Sequence, residues 1–339
     1  MELATVKAAG AYAHWFMGHC SRALRRVGIL LLAGLFFAII PGVAAAEDTV
    51  AFTIKDARIT ESSGLAVDSA GNIYWTVNDS GDRGVAYGLG LDGQVQGTLN
   101  FRAQPVDVEA VAVHDSRLYV GDIGDNASSR SFVRVFFFNN PRANGLTVTY
   151  HAYDFRYPDG PHNAETLLVD ESGRLFIVTK GQDGAIYAGP RKPDRQGINK
   201  LKKVGSAPSD VTDGTFLPGG DKIALLTYTT VTVLDASTYE VLASSPIPHQ
   251  QQAESLTLSL DEQSLLVGSE GKKSKVYTVP IPSQATPTPT PSEEPQTETD
   301  VPDDRSDAIQ NQKGTLLALG LAAFVALVAG TVVAFVRKP

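Results

Sequence analysis

Asp107-Val-Glu-Ala-Val-Ala-Val-His-Asp-Ser-Arg-Leu-Tyr-Val-Gly-Asp122 is the stretch that decides the fold. An acidic residue opens a short apolar strand, a tight turn follows, and a second apolar strand ends in small polar residues, the pattern of a half-buried hairpin. The same phrase begins at Glu61, Ala164, Thr212 and Ala253, as in Glu61-Ser-Ser-Gly-Leu-Ala-Val-Asp68 and Ala164-Glu-Thr-Leu-Leu-Val169. A two-strand unit that returns at intervals of roughly 40 to 56 residues is the mark of a β-propeller, in which each blade is a small sheet facing a central channel.

Further strands complete each repeat. The first continues with 85–91 and 94–101 around an Asp92-Gly93 turn, the second with 131–138 and 146–155, the third with Ala185–Ala188 and 201–206, and the fourth with 231–235 and 240–244. The fifth retains only Lys275–Val279 and is one strand short. Residues 50–55 precede the first phrase and have no blade of their own, so they supply the missing strand and remove the open edges of the ring. The expected fold is all-β, a propeller of five blades closed by N- and C-terminal strands, with six blades as the alternative count.

The ends of the chain differ from the repeats. Residues 1–26 are basic, 27–40 are apolar, Pro41-Gly42 breaks the run and Ala44-Ala45-Ala46 offers a small-residue cleavage pattern, so 1–46 is expected to be a signal peptide. The propeller then occupies 47–282. Residues 283–313 carry Thr-Pro repeats and acids with almost nothing apolar, the composition of an extended stalk. Residues 314–336 hold no charge in 23 positions, enough for one transmembrane helix. Arg337-Lys338 follow at once, which puts 337–339 in the cytoplasm and the propeller outside a cell membrane that the chain crosses once.

The formal net charge is −8, and because 1–46 carry Lys7, Arg22, Arg25 and Arg26 against Glu2, the remainder stands at −11. Such acidity argues against nucleic acid and anionic membrane as partners and is compatible with cations. Cys20 is the single cysteine and lies in the expected signal, so no disulfide or thiol chemistry is expected.

Aligning the apolar triplets at Leu65, Val111, Leu167, Thr215 and Leu256 places Ser63, Glu109, Glu165, Asp213 and Glu254 two residues ahead of each. First strands line a propeller's channel, so these five oxygen-bearing side chains are expected at one level around the axis. Carboxylates brought that close repel unless protonated or bridged by a cation. Calcium, a hard ion with six to eight oxygen ligands, is the expected occupant. The alternative is that each acid caps a turn or binds backbone amides within its own blade.

These phrases resemble those of the five-bladed calcium-activated nucleotidases, the apyrase family, where a Glu-x-Leu-Ala-Val strand is followed by Arg-Leu-Tyr-Val-Gly, as at Glu109 to Gly121 here. The resemblance implies a central calcium held by a serine, three glutamates and one further hydroxyl, falling on Ser63, Glu109, Glu165 and Glu254 with Asp213 replacing the second hydroxyl. The family's Asp-Asp-Arg-Thr-Gly segment is similar to Asn78-Asp-Ser-Gly-Asp-Arg-Gly84, which implies that Asp79, Asp82 and Arg83 face the substrate. The family's longer insertions, including a Glu-Trp stretch in the second blade, are missing here. A looser similarity joins the chain to bacterial secreted propellers described as phytase-like or esterase-like.

Loops at the strand ends add Gly121-Asp-Ile-Gly-Asp-Asn126, Arg130, Lys180 and Glu270. At a channel mouth, a cation with Arg83, Arg130 and Lys180 would hold a phosphate, and Asp79 or Asp122 would orient a water. The alternative is that Asp122, Asp125 and Asn126 simply make Asx-turns. Gly88-Leu-Gly-Leu-Asp-Gly93 spells a dinucleotide fingerprint but lies across a hairpin and opens no helix. There is no GxSxG and no zinc-ligand spacing. Two functions follow: a metal-dependent hydrolase of a small phosphorylated molecule, or a non-catalytic module that displays a binding surface for an unknown extracellular ligand.

Overall fold

The computed structural model describes residues 49–79 and 83–283. The expected signal, stalk and membrane helix, together with Asp82, lie outside the described residues.

Five separate sheets make up the fold. β1 (Thr49–Thr53) comes first in the chain and is used last. Blade 1 is β2 (Ser62–Asp68), β3 (Ile73–Asn78), β4 (Val85–Leu89) and β5 (Val95–Phe101). Blade 2 is β6 (Val108–His114), β7 (Arg117–Asp122), β8 (Val133–Asn139) and, after the short β9 (Thr147–Val148), β10 (His151–Arg156). Blade 3 is β11 (Ala164–Val169), β12 (Leu175–Thr179), β13 (Ala185–Ala188) and, after β14 (Ile198–Lys200), β15 (Lys202–Ser206). Blade 4 is β16 (Val211–Phe216), β17 (Lys222–Thr227), β18 (Thr230–Asp235) and β19 (Val241–Pro246), and blade 5 is β20 (Ala253–Leu258), β21 (Leu265–Ser269) and β22 (Lys275–Val279). The expected closure is present: β1 pairs antiparallel with β22, Val50 opposite Tyr277 and Thr53 opposite Lys275.

Strand periodicity explains how the blades adhere. Successive residues point to opposite faces of a strand, so in β7 Leu118 and Val120 pack toward blade 1 while Tyr119 packs toward blade 3. In β8 Phe136 and Phe138 join the first of these layers and Val135 and Phe137 the second. The buried apolar residues accordingly form five clusters, one in each gap between neighbouring blades, including the gap between blades 5 and 1. The core is thus a closed ring of interfaces, with no central hydrophobic mass.

Two details were not expected. β9 pairs in parallel with β5, and β14 in parallel with β10, so the outer edges of blades 1 and 2 are each covered by a short segment from the following repeat. Near the axis, Gly64 takes φ 73° and a side chain there would meet the Val111 backbone nitrogen at 2.9 Å. Glycine is the residue that permits this approach of β2 to β6.

Candidate functional site

Each innermost strand is irregular near its start. Register slips between Val108 and Ala110, Ala164 and Thr166, and Ala253 and Ser255, which leaves Glu109, Glu165 and Glu254 as the extra residues of β-bulges. A bulge removes its residue from the ladder and re-aims the side chain. In β2 the slip falls between Ser63 and Leu65, and in β16 between Val211 and Asp213. Ser63 Oγ donates to the Glu109 carbonyl oxygen at 2.8 Å, and Thr212 Oγ1 donates to the Ala253 carbonyl oxygen at 2.7 Å. Each hydroxyl therefore ties its blade to the innermost strand of the next.

In blade 1 the bulge residue is Gly64, one after Ser63, and in blade 4 the expected position is displaced as well. The fourth blade presents Thr212 at the bulge, and Asp213 lies one residue deeper because the slip falls before it. Asp213 Oδ2 accepts hydrogen bonds from the Leu65 and Leu256 amides at 3.3 and 2.6 Å, and Oδ1 accepts from the Gly214 amide at 2.8 Å. Leu65 belongs to blade 1, which is no neighbour of blade 4, so this carboxyl spans the channel. Burial drives its pKa well above the usual carboxylate range, against those three amide donors.

The second strands end at the same mouth. Just past them stand Asp79, Lys180, Tyr228 and Glu270 in blades 1, 3, 4 and 5. Their placement repeats: the amides of Asp79, Lys180 and Glu270 donate to the carbonyls of Glu61, Asn163 and Gln252 at 2.9, 3.0 and 3.0 Å. Ligand oxygens of Asp79, Asp107 and Glu109 all lie within 4.8 Å of one another. Gly124 backs this group, and a methyl group there would run into Asp107 Oδ2 and Glu109 Oε1.

The acids outnumber the cations. Lys180 Nζ is 2.5 Å from Glu165 Oε1 and 4.0 Å from Glu254 Oε1, and its ammonium sits 5.0 Å from the centre of the Tyr228 ring. Glu165 Oε2 is buried without a hydrogen-bond partner among the described residues. Burial, then Asp79 and Glu165, push the Glu109 carboxyl up to about 10. Burial and Glu165 push Glu254 up to about 8, and burial with Asp79 pushes Asp107 up to about 6. Glu165 is also raised, by burial, even with Lys180 bonded to it. Burial works against the Lys180 charge, but its bonds to Glu165 and Tyr228 outweigh that and keep the ammonium above its ordinary range. Two carboxylates 4.8 Å apart repel by about 3.5 kcal/mol at an effective dielectric of about 20. Three ionised together would cost about 10 kcal/mol, comparable with the whole stability of a domain. Neutralisation of the group is therefore favoured, by protons, by a cation or by the neighbouring Arg130 charge.

The remaining expected residues surround this centre. Arg130 Nη1 is 2.9 Å from Asp122 Oδ1 and donates to the Gly124 carbonyl at 2.7 Å. Asp122 Oδ1 accepts from the Asp107 amide at 2.9 Å, which couples the pair to the acidic group. Asp125 accepts from the Ser129 and Arg130 amides at 2.9 and 2.8 Å and so is a turn former. Arg83 is exposed and borders a small recess with Asp79 and Asp107. Sequence reasoning missed Asp107, Thr212 and Tyr228. A signal for Asp107 was present, since the residues two before Ser63, Glu109, Glu165, Thr212 and Glu254, namely Glu61, Asp107, Asn163, Asp210 and Gln252, are all polar.

No family model matches the chain, and no curated protein matches it. Among solved structures it is similar to a gluconolactonase from Xanthomonas campestris, with 19% identity over 67% of this chain and 89% of that one and a TM-score of 0.40.

Proposed function

We propose that the channel mouth is a divalent-cation centre, with calcium as its occupant, serving hydrolysis of a small phosphorylated molecule. The observation that carries this reading is the convergence of Asp79, Asp107 and Glu109 oxygens within 4.8 Å beside the orphaned Glu165 Oε2. An all-oxygen donor set of carboxylates suits a hard ion. Asp79, Asp107, Glu109, Glu165 and Glu254 would hold it, with the Ser63 and Thr212 hydroxyls tying the ring beneath. When bound, calcium would supply Lewis-acid polarisation of a phosphoryl oxygen.

The protein's own groups would do the rest. Arg83, exposed beside Asp79, is the cation available to an incoming phosphate, and Asp79 would accept a proton from an attacking water. Asp122 acts through Arg130 and the Asp107 amide, which makes it a positioning residue. The same proposal keeps the propeller outside a cell membrane, held by the helix expected at 314–336. A panel of nucleotides and phosphate esters, offered to the full chain with calcium, should yield free phosphate, and Asp79→Asn should abolish it.

One observation favours the second reading, a non-catalytic display module. Arg130 and Lys180, both expected to grip phosphate, are each ion-paired internally, with Asp122 and Glu165. No phosphate release across the panel, with calcium binding retained, would favour that reading instead.

A further inference from the structure

The cations of this acidic chain are not evenly spread. Between Arg191 and Lys203 the sequence holds six of them (Arg191, Lys192, Arg195, Lys200, Lys202 and Lys203) against Asp194 alone. All six are exposed. Asp194 Oδ1 is occupied by the Gln196 amide at 2.9 Å. None of the six takes part in an ion pair among the described residues, where Lys and Arg elsewhere form several. Arg195 meets His151 Nδ1 at 3.0 Å, a neutral partner or a repelling one. Pairing of β14 with β10 also sets Lys200 opposite Arg156, like charges in register. Such a pair is unfavourable unless something negative lies over it.

The band continues into a cleft between blades 2 and 3, at the end of the propeller away from the carboxylates. This cleft, of about 440 Å³, is bordered by Arg117, Arg191 and Lys192, by the rings of Tyr119 and Tyr153, and by Asp115 and Glu171. The Arg117 guanidinium lies 5.0 Å from the Phe137 ring centre and donates through Nε to Asn139 Oδ1 at 2.9 Å, which holds it in place.

From this arrangement we infer that the outer edge of blades 2 and 3 is a docking surface for an acidic polysaccharide, with one sugar unit seated in the cleft. Cations strung along an edge match a repeated negative charge better than a single anion. The partly exposed Tyr153 ring suits the C–H face of a sugar, with Tyr119 buried beneath it, and Asp115 and Glu171 accept hydrogen bonds from hydroxyls, which a uronic-acid polymer offers in every unit. A duplex-DNA backbone has no free hydroxyl to donate to those carboxylates, and a flat bilayer cannot enter a cleft between two blades. Ile198 is the one large apolar residue exposed in the band, so there is little to insert into lipid.

Binding of the full chain to immobilised polygalacturonate, neutral dextran, duplex DNA and phosphatidylserine vesicles tests the assignment. The expected result is binding to polygalacturonate that weakens with salt, with dextran, DNA and vesicles weaker. Arg191→Glu with Lys192→Glu in one variant, and Lys200→Glu with Lys202→Glu in another, should each weaken polygalacturonate binding by about tenfold. Each should keep the parent melting temperature, and the milder Lys192→Gln serves if either fails to fold. Polygalacturonate held no better than dextran, equal binding by the folded variants, or tighter binding to DNA or vesicles would each overturn the inference.

Discussion

Lys180 lies 2.5 Å from Glu165 Oε1 of its own blade and 4.0 Å from Glu254 Oε1 of blade 5, so the protein carries its own ammonium inside the ring of acids proposed to hold a cation. One half of the mouth, around Glu165 and Glu254, is thereby partly neutralised. In the other half no lysine among the described residues is ion-paired with Asp107 or Glu109, and the positive charge acting on Asp107 is that of Arg130. Lys180→Met should lower the cation-free melting temperature, because Glu165 and Glu254 then face each other uncompensated. It should also enlarge the rise produced by calcium, since the ion no longer competes with the lysine. Calorimetry in chelator and in calcium measures both, and an unchanged calcium increment would sink the idea of a shared site.

Acidity at the mouth has a direction in pH. Glu109 is pushed up to about 10 from an ordinary 4.5, Glu254 up to about 8 and Asp107 up to about 6. A group that binds its proton more tightly when folded favours the fold fully below its unfolded pKa and loses that advantage as pH climbs toward the folded value. Without divalent ions, stability should therefore fall between pH 5 and pH 8, by at most about 1.4 kcal/mol per unit for each proton retained. Calcium should flatten or reverse the fall. A cation-free melting curve independent of pH over this window would contradict the electrostatic account.

Asp213 is predicted to be structural. Its replacement by alanine leaves three buried amides without an acceptor, and each such loss costs about 1–3 kcal/mol. Asp213→Ala should thus destabilise by about 3 kcal/mol or more in urea unfolding, while the folded fraction still binds calcium. Loss of calcium binding with stability intact would return Asp213 to the ligand set.

Gly124 gives the converse test. The nearest atoms that a methyl group at this position would meet are those of the Asp107 and Glu109 carboxyls. Gly124→Ala should weaken calcium binding by about tenfold, about 1.4 kcal/mol, with little change in cation-free melting. Titration of both proteins followed by heat or intrinsic fluorescence decides it.

The fold was legible because its signal was repeated. Each phrase such as Val108–His114 with Arg117–Asp122 obeys a period of two, and the unpaired strand ahead of Glu61 could go only to the incomplete fifth repeat. β9 was merged with β10 in one expected strand, 146–155, and β14 escaped detection, because strands of two and three residues are too short for any period and are held by a neighbouring blade's edge. The glutamates of the ring were legible for the same reason as the blades. Asp213 was misplaced because a sequence alignment counts residues, whereas the extra residue of β16 is Thr212, and only the register reveals where a bulge falls. Arg130 and Lys180 were identified as cations near the mouth, but their pairing with Asp122 and Glu165 depends on how loops fold back, which no local pattern encodes.

The junction of β1 with β22 sets an order on how the domain can be made. The opening strand has no partner until the last one exists, so a nascent chain must hold Thr49–Thr53 in reserve through more than two hundred residues of synthesis. Until then the emerging polypeptide stays an unfinished arc whose two ends cannot yet lock. A product halted before Lys275 should leave Phe52 and Ile54 uncovered and be open to proteolysis.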